Sequence, residues 1–349
     1  MSTGFKAVQW NRPKIVYDAI LVAAVATYIG GFILTSFRLY PDQNHLEAID
    51  TYIRACGSCA FLMLTVILAI GPLVRLFPSL RPVLYNRRHF GVLTFLVALA
   101  HAWFMIDWYI AQNALPSLLA ELSKAEDYGK FIGFPFKVLG LGALLILMVM
   151  AVTSHDFWLE FLGPRAWKAM HMAVYAAYAL VIMHVALGIL QDDRNPLIPL
   201  MLITGVGTVG ALHLAAGWRE AAGDRGTALV GGGWLTVGPP ELIPDKRARI
   251  VSAPAGERIA VFRDGNLVSA VTNLCAHQNG PIGEGRVVNG CIICPWHGYE
   301  YRLEDGCAPP PFTERLATYR LRLRDGIVEV NPAPLPPGTP VAIAVGPVE

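Results

Sequence analysis

The sequence predicts a membrane α-helical bundle of six transmembrane helices followed by a C-terminal all-β domain. Three observations predict it. Of the 349 residues, 54% are hydrophobic and only 15% charged, whereas soluble domains average about 25% charged. The deficit is not spread evenly: residues up to about 217 hold long apolar runs, and the chain from about 218 onward is mixed and rich in turns. Six stretches before that boundary reach the length of about 20 apolar residues that a bilayer span needs, and short alternating runs follow it.

The six spans are 15–37, 54–77, 90–110, 133–153, 167–190 and 196–217. The fourth carries Pro135 and Lys137 near its start, and the sixth is rich in glycine. Arg12 and Lys14 precede the first. That apolar stretch is too long for a signal-peptide core and lacks a clear cleavage site, so it reads as a span. Basic residues mark one side of the membrane: Lys6, Arg12 and Lys14; Arg75, Arg81, Arg87 and Arg88; Arg165 and Lys168. The intervening loops hold Asp42, Glu47 and Asp50, then Glu121, Glu126 and Asp127, then Asp192 and Asp193. The basic side is expected to be cytoplasmic. An even number of spans returns the C-terminus there, so both termini are expected in the cytoplasm. A net charge of +2 gives no reason to expect nucleic acid. Six scattered cysteines do not make a disulfide scaffold in a chain of this length. Cys56-Gly-Ser-Cys59, in the second span, reads as a packing pair or as a redox dithiol.

Ionisable residues inside spans are rare and usually functional, the bland alternative being a hydrogen bond to a neighbouring helix. His101 lies in span three, and His171 and His184 in span five. At 1.5 Å per residue, His101 is about 20 Å and His184 about 25 Å from the cytoplasmic boundary. The two spans run in the same direction, so both histidines reach the outer half. Two such imidazoles can clamp one iron axially, and haem is the usual iron cofactor held this way in a helix bundle. His171 lies near the cytoplasmic side and is placed for a second haem, with His89, His155 or His213 as its partner. His89 matches it in depth. The step from His89 to His101 departs by roughly 120° from a whole number of turns, which leaves open whether the two face one helix.

The stretches RRHFGVLTFLVALAH (87–101) and WKAMHMAVYAAYALVIMH (167–184) resemble the ferric-reductase-like transmembrane family. That family includes the membrane parts of ferric reductases and NADPH oxidases, and the haem subunit of a bacterial methionine-sulfoxide repair system. The similarity is greatest to the last. It covers roughly residues 50–190 and lies in the paired arginines, the glycine, the histidine deep in the span and the two later histidines. The resemblance implies b-type haem ligated by His101 and His184, with His171 a further ligand, in a bacterial inner (cell) membrane. Ferric reductases and NADPH oxidases carry their histidines in two regular pairs. His89 departs from that spacing, so one haem is expected and a second stays open.

Gly223 to Gly233 reads as a flexible linker, dividing the chain into a haem-binding part at 1–220, a linker at 221–232, a β domain at 233–332 and a Pro-rich tail at 333–349. Strands are expected at 234–237, 249–252, 258–262, 267–272, 286–288, 291–294, 320–323 and 327–330. Asp264-Gly265-Asn266 and Arg324-Asp325-Gly326 mark hairpin turns. Two loops carry ligand residues, Cys275-Ala-His277 and Cys294-Pro-Trp-His297. Two cysteines and two histidines also suit zinc, but zinc patterns usually group cysteine with cysteine and histidine with histidine. Here each loop supplies one of each. A Rieske [2Fe–2S] centre needs that mixture, thiolates on one iron and imidazoles on the other.

Gly280-Pro281, Pro295, Gly298 and the Pro-rich turn at 306–311 extend the resemblance to the Rieske family. It implies a [2Fe–2S] cluster on Cys275, His277, Cys294 and His297. In cytochrome bc-type Rieske proteins an extra cysteine in each loop forms a bridging disulfide, and the corresponding places here are Gly280 and Trp296. A serine and a tyrosine there donate to cluster sulfurs; Tyr299 takes the serine place and Tyr301 keeps the tyrosine place. Fewer donors lower the potential, so the expectation is below about 0 mV, within the Rieske range of about −150 to +300 mV. The domain is more similar to Rieske ferredoxins and small reductase subunits. Cys291 and Cys307 read as buried or incidental thiols.

These readings predict an oxidoreductase that carries electrons across the membrane, between the Rieske cluster, haem and an outer-face acceptor. No phosphate-binding GxGxxG turn stands in a strand–helix context. GVGTVG at 205–210 lies in an apolar span and reads as helix packing. The electron donor is therefore expected to be a separate cytoplasmic reductase, ferredoxin or quinol. Asp107 and Trp108 line an acceptor site or anchor the span at the membrane interface. Two other readings stand beside this one: a membrane-anchored Rieske ferredoxin supplying a cytoplasmic oxygenase or reductase, without haem, and a redox sensor.

Overall fold

The computed structural model describes residues 12–346 apart from 85, 193–194, 225–228, 231, 254–256, 278 and 297. The chain divides into two compact units, one of Trp10–Ala215 and one that contains Ala216–Glu349.

The first unit is helical: α1 Arg12–Leu39, α2 His45–Leu76, α3 Arg87–Ala111, α4 Leu115–Ser123, α5 Lys137–Val152, α6 Asp156–His171, α7 Val174–Leu187, α8 Ile189–Asp192 and α9 Leu197–Asp224, the last running on past the unit boundary. Among the described residues, five stretches are long and apolar enough to cross a membrane: Lys14–Leu39, His45–Leu76, Arg87–Ala111, Ala166–Gln191 and Leu197–Ala221. The fourth expected span, 133–153, is the exception: Lys137–Val152 and Phe157–Gly163 form a pair bent by 93°. Helix α5 has 16 residues, about 24 Å of rise, and falls short of a hydrocarbon core of about 30 Å. Its end has a local cause. The hydroxyls of Thr153 and Ser154 turn back onto the carbonyls of Val149 and Met150. His155 then caps α6 by accepting from the Phe157 N–H.

Helix α2 begins in a capping box formed by Asn44 and Glu47 and forms the centre of the bundle. Phe61, Leu64 and Leu68 pack in one cluster with Ala143 and Leu147 of α5, Ala177 and Tyr178 of α7, and Leu202 and Val209 of α9. Tyr178 stacks on Phe61 with ring centroids 5.8 Å apart, and its hydroxyl meets Thr65 at 3.0 Å. A buried tyrosine needs such a partner. Gly205 brings α9 against Phe61, where a Cβ would lie 2.8 Å from Cζ. The first glycine of the 205–210 run is thus a helix-packing glycine.

The second unit holds β1 Leu229–Val230, β2 Trp234–Gly238, β3 Ala248–Ser252, β4 Arg258–Asp264, β5 Leu267–Thr272, β6 Arg286–Val288, β7 Cys291–Ile293, β8 Glu300–Arg302, β9 Thr318–Arg324, β10 Ile327–Leu335 and β11 Ile343–Ala344. One sheet runs β1-β2-β10-β9-β5-β4-β3, with β11 also paired to β5, and a second runs β6-β7-β8. The hairpin turns fall where the sequence places them: Gly265 takes φ 63°, Asp325 φ 50° and Gly326 φ 74°. Positive φ at both Asp325 and Gly326, and at the first central residue Gly265 of the other hairpin, matches the twist of paired strands. Strands β1, β8 and β11 are two or three residues long, too short for a periodic signal. Strand β10 continues to Leu335 and β11, Ile343–Ala344, pairs with β5, so part of the stretch read as a Pro-rich tail belongs to the sheet.

Candidate cofactor sites

The two cysteine–histidine loops leave strands β5 and β7 and are copies of one backbone turn. The Cys275 N–H donates to the Gly280 carbonyl at 2.8 Å, and the Asn279 N–H donates to the Cys275 carbonyl at 2.7 Å. In the second loop the Cys294 N–H donates to the Tyr299 carbonyl at 2.8 Å, and the Gly298 N–H to the Cys294 carbonyl at 2.9 Å. Asn279 and Gly298 occupy the same place and take φ 54° and 69°, the left-handed region that asparagine tolerates and glycine favours. Cys275 and Cys294 are buried, 1% and 2% exposed. His297 lies outside the described residues.

Buried Tyr301 on β8 ties these parts together. Its hydroxyl accepts from the His277 N–H at 3.2 Å and lies 3.3 Å from Cys275 Sγ. Because the oxygen accepts from nitrogen, its own proton is available to sulfur. Burial, then the neighbouring Cys275 thiol, pushes the phenol up from its ordinary value, so it stays a donor. Tyr299 behaves differently: its ring stacks on the His277 imidazole at 4.9 Å and 15°. Burial, then the Glu314 carboxylate, raises its phenol. Gly280 lies against Trp296, with a Cβ position 3.0 Å from Cδ2 of the indole. The two places where a bridging disulfide would stand are in contact as glycine and indole, and none of the six cysteines, all among the described residues, forms a disulfide. A [2Fe–2S] cluster fits this donor set: two buried thiol sulfurs, a ring-stacked imidazole and a hydroxyl aimed at one sulfur.

Within the bundle, His101 of α3 and His184 of α7 come together. Their ring centroids are 6.3 Å apart and their planes are 88° from parallel. Two imidazole–metal bonds of about 2 Å each, plus the step from each nitrogen to its ring centre, bring a bis-imidazole pair to about 6 Å. His101 Nδ1 lies 2.9 Å from the Ile53 carbonyl, and His184 Nδ1 lies 2.9 Å from the Phe136 carbonyl. A carbonyl can only accept, so Nδ1 carries the proton in both rings and Nε2 keeps its lone pair. Metal-ligating histidines are oriented in this way, and His101 and His184 fit as the two residues that would hold a haem.

The other histidines do not join this pair. His89 Nδ1 lies 2.7 Å from Asp18 Oδ2 on α1, so the helical phase turns it away from the face that carries His101. His155 caps α6, and His213 Nε2 meets the Tyr175 hydroxyl at 2.9 Å. Each residue read as a partner for His171 is thus engaged elsewhere. His171 donates from Nδ1 to the Trp167 carbonyl at 3.0 Å and stacks on the indole at 3.8 Å. Its Nε2 is buried without a hydrogen-bond partner among the described residues. Arg88 covers the same indole at 5.0 Å. Cys56 and Cys59 are buried and flank Gly57 on α2. At the end of α3, Tyr109 carries the polar contact: its hydroxyl donates to Glu121 at 3.1 Å, and Lys137 Nζ reaches the other Glu121 oxygen at 2.5 Å. Sequence reasoning missed that cluster, and it missed the carbonyls of Ile53 and Phe136, which no side chain advertises.

Comparisons with known proteins match both parts. Residues 55–182 match the family model described as ferric reductase like transmembrane component, and residues 233–320 match the Rieske [2Fe-2S] domain. The chain is 30% identical over 191 residues to the protein-methionine-sulfoxide reductase heme-binding subunit MsrQ of Caulobacter vibrioides, covering 54% of this chain and 85% of that one. It is 42% identical over 81 residues to the anthranilate 1,2-dioxygenase ferredoxin subunit of Burkholderia cepacia, covering 22% of this chain and 73% of that one. Among solved structures, Sphingomonas yanoikuyae B1 ferredoxin is 25% identical with a TM-score of 0.27, covering 28% of this chain and 98% of that one.

Proposed function

We propose, for a chain that belongs to the ferric-reductase-like transmembrane family and carries a Rieske [2Fe–2S] domain, that it is a transmembrane electron-transfer oxidoreductase linking a cytoplasmic Rieske cluster and b-type haem to an outer-face acceptor. The observation that carries this reading is the His101–His184 pair, 6.3 Å apart and fixed through both Nδ1 atoms. Those two residues would hold the haem, and Cys275, His277, Cys294 and His297 would hold the cluster. Both groups supply reversible one-electron transfer when bound. His171, with its buried Nε2, is the remaining residue suited to a second haem; His89, paired with Asp18, is left out.

The chain's own residues set the conditions. The Ile53 and Phe136 carbonyls hold the tautomer that leaves Nε2 basic. Tyr301 donates toward Cys275 Sγ and stabilises added negative charge there. The Tyr299 ring, stacked on His277, supplies no such donor to that sulfur, which supports a potential below about 0 mV in the Rieske range. The basic segments before span one, between spans two and three, and before span five support cytoplasmic termini in a bacterial inner membrane. The donor would then be a separate cytoplasmic reductase, a ferredoxin or a membrane quinol.

Visible and EPR spectra of the purified full chain test this reading. A b-type haem spectrum beside a Rieske signal is expected. His101→Ala and His184→Ala should each abolish the haem and keep the cluster; full haem in both variants would refute the ligand assignment. The 42% identity to a dioxygenase ferredoxin subunit favours a second reading, a membrane-anchored carrier for a cytoplasmic oxygenase. That reading expects no haem absorbance in the wild type.

A further inference from the structure

The two halves of the bundle grip their histidines with the same device. In each half the accepting carbonyl lies 48 residues before its histidine, Ile53 for His101 and Phe136 for His184. In each half a glycine follows four residues after that carbonyl, one helical turn on. A Cβ on Gly57 would lie 2.8 Å from His101 Nδ1 and 2.9 Å from Cε1. A Cβ on Gly140 would lie 2.8 Å from His184 Cε1 and 2.9 Å from Nδ1. The spacing repeats in step: with 53–101 laid on 136–184 without a gap, Gly57 and His101 fall on Gly140 and His184, two of seven identical positions in 49.

The χ2 torsion of histidine is broad and lacks sharp staggered wells. A single Nδ1–H bond directs one edge of the ring and leaves its plane free to swing. The glycine surface closes off that swing, because the Nδ1–Cε1 edge already rests on the helix backbone. We propose that Gly57 and Gly140 are positioning residues that set the planes of the two axial imidazoles at the observed 88°. This rests on the reading of His101 and His184 as haem ligands. A methyl group at either glycine displaces the ring that ligates, so the effect appears in the electronic structure of the bound group. A glycine serving helix packing alone would leave that structure unmoved.

The test uses the full chain in detergent or lipid. In the wild type, perpendicular axial planes give a strongly anisotropic ferric low-spin EPR signal, whereas near-parallel planes give a rhombic one. A rhombic wild-type signal would overturn the proposal without any variant. Gly57→Ala and Gly140→Ala should each weaken haem retention roughly 10–100-fold, as loss of an orienting contact does. The haem that remains should show altered anisotropy and a shifted midpoint potential. The Rieske signal per chain should stay constant and count the chains, while an unchanged helical circular-dichroism spectrum of the detergent-purified chain reports the fold of the bundle. Gly91→Ala and Gly207→Ala, where a Cβ meets nothing within 4 Å, should behave as wild type. Alanine favours helix over glycine, so a loss confined to positions 57 and 140 comes from the ring contact. Wild-type spectra and potentials in both test variants overturn the proposal. A wild type with a Rieske signal and no haem instead defeats the ligand assignment beneath it.

Discussion

The Rieske loops and the histidine pair of the bundle both use a device twice, at very different sequence range. Each loop builds its turn from a cysteine and the residue five positions later, closed by two backbone hydrogen bonds. Each histidine of the bundle depends on a carbonyl 48 residues away on another helix. The loops carry their ligand identity in a few adjacent residues. The histidine pair exists only once α2, α3, α5 and α7 have packed. A short-range site is therefore readable as a motif, whereas a long-range site is readable only as depth along each helix.

The comparison breaks most sharply if the two sites depend on each other. Cys275→Ser should abolish the Rieske signal and leave haem absorbance at the wild-type level. His184→Ala should do the reverse. Joint loss in either variant, with the chain still in the membrane, would mean that the two units do not hold their groups independently. A smaller effect separates the two copies of the loop. Gly298 and Asn279 share a left-handed backbone, which costs an ordinary L-residue roughly 1–2 kcal/mol. Gly298→Ala should lower the unfolding free energy, read from denaturant titration of the Rieske signal, by roughly 1–2 kcal/mol. Asn279→Gly should leave it unchanged or raise it. Equal effects would show that the turns are alike in outline only.

Hydropathy made five helices legible, and alternation with Asp-Gly turns made the main strands legible. The bend after α5 was written in Thr153 and Ser154 but was masked by the apolar run before them. His89 illustrates the limit of depth as a criterion. It sits at a suitable height, yet its helical phase delivers it to Asp18. Gly57 and Gly140 were invisible as site residues, because a glycine in an apolar helix carries no chemical label. Their signal lay in an equal spacing from histidine in the two halves, which needed the accepting carbonyls before it had meaning. Tyr299 was legible as a missing donor, but its stacking on His277 follows from packing against Phe312 and Tyr301.

The finest contrast lies within the Rieske site, between two tyrosines two positions apart. Tyr301 reaches Cys275 Sγ at 3.3 Å, whereas Tyr299 lays its ring along an imidazole. Reduction adds negative charge to the cluster and its sulfurs, so a donor to sulfur favours the reduced state and raises the potential. Tyr301→Phe removes that donor. A charge-assisted hydrogen bond worth about 1.4 kcal/mol corresponds to about 60 mV in a one-electron couple, so the potential should fall by about that much. The same change removes the hydrogen bond from the His277 N–H to the Tyr301 oxygen, and a lost hydrogen bond costs about 0.5–1.5 kcal/mol of stability. Potentiometric EPR reads the first effect and denaturation of the cluster signal reads the second. A stable variant with an unshifted potential would show that the hydroxyl serves the backbone of the loop and leaves the sulfur alone.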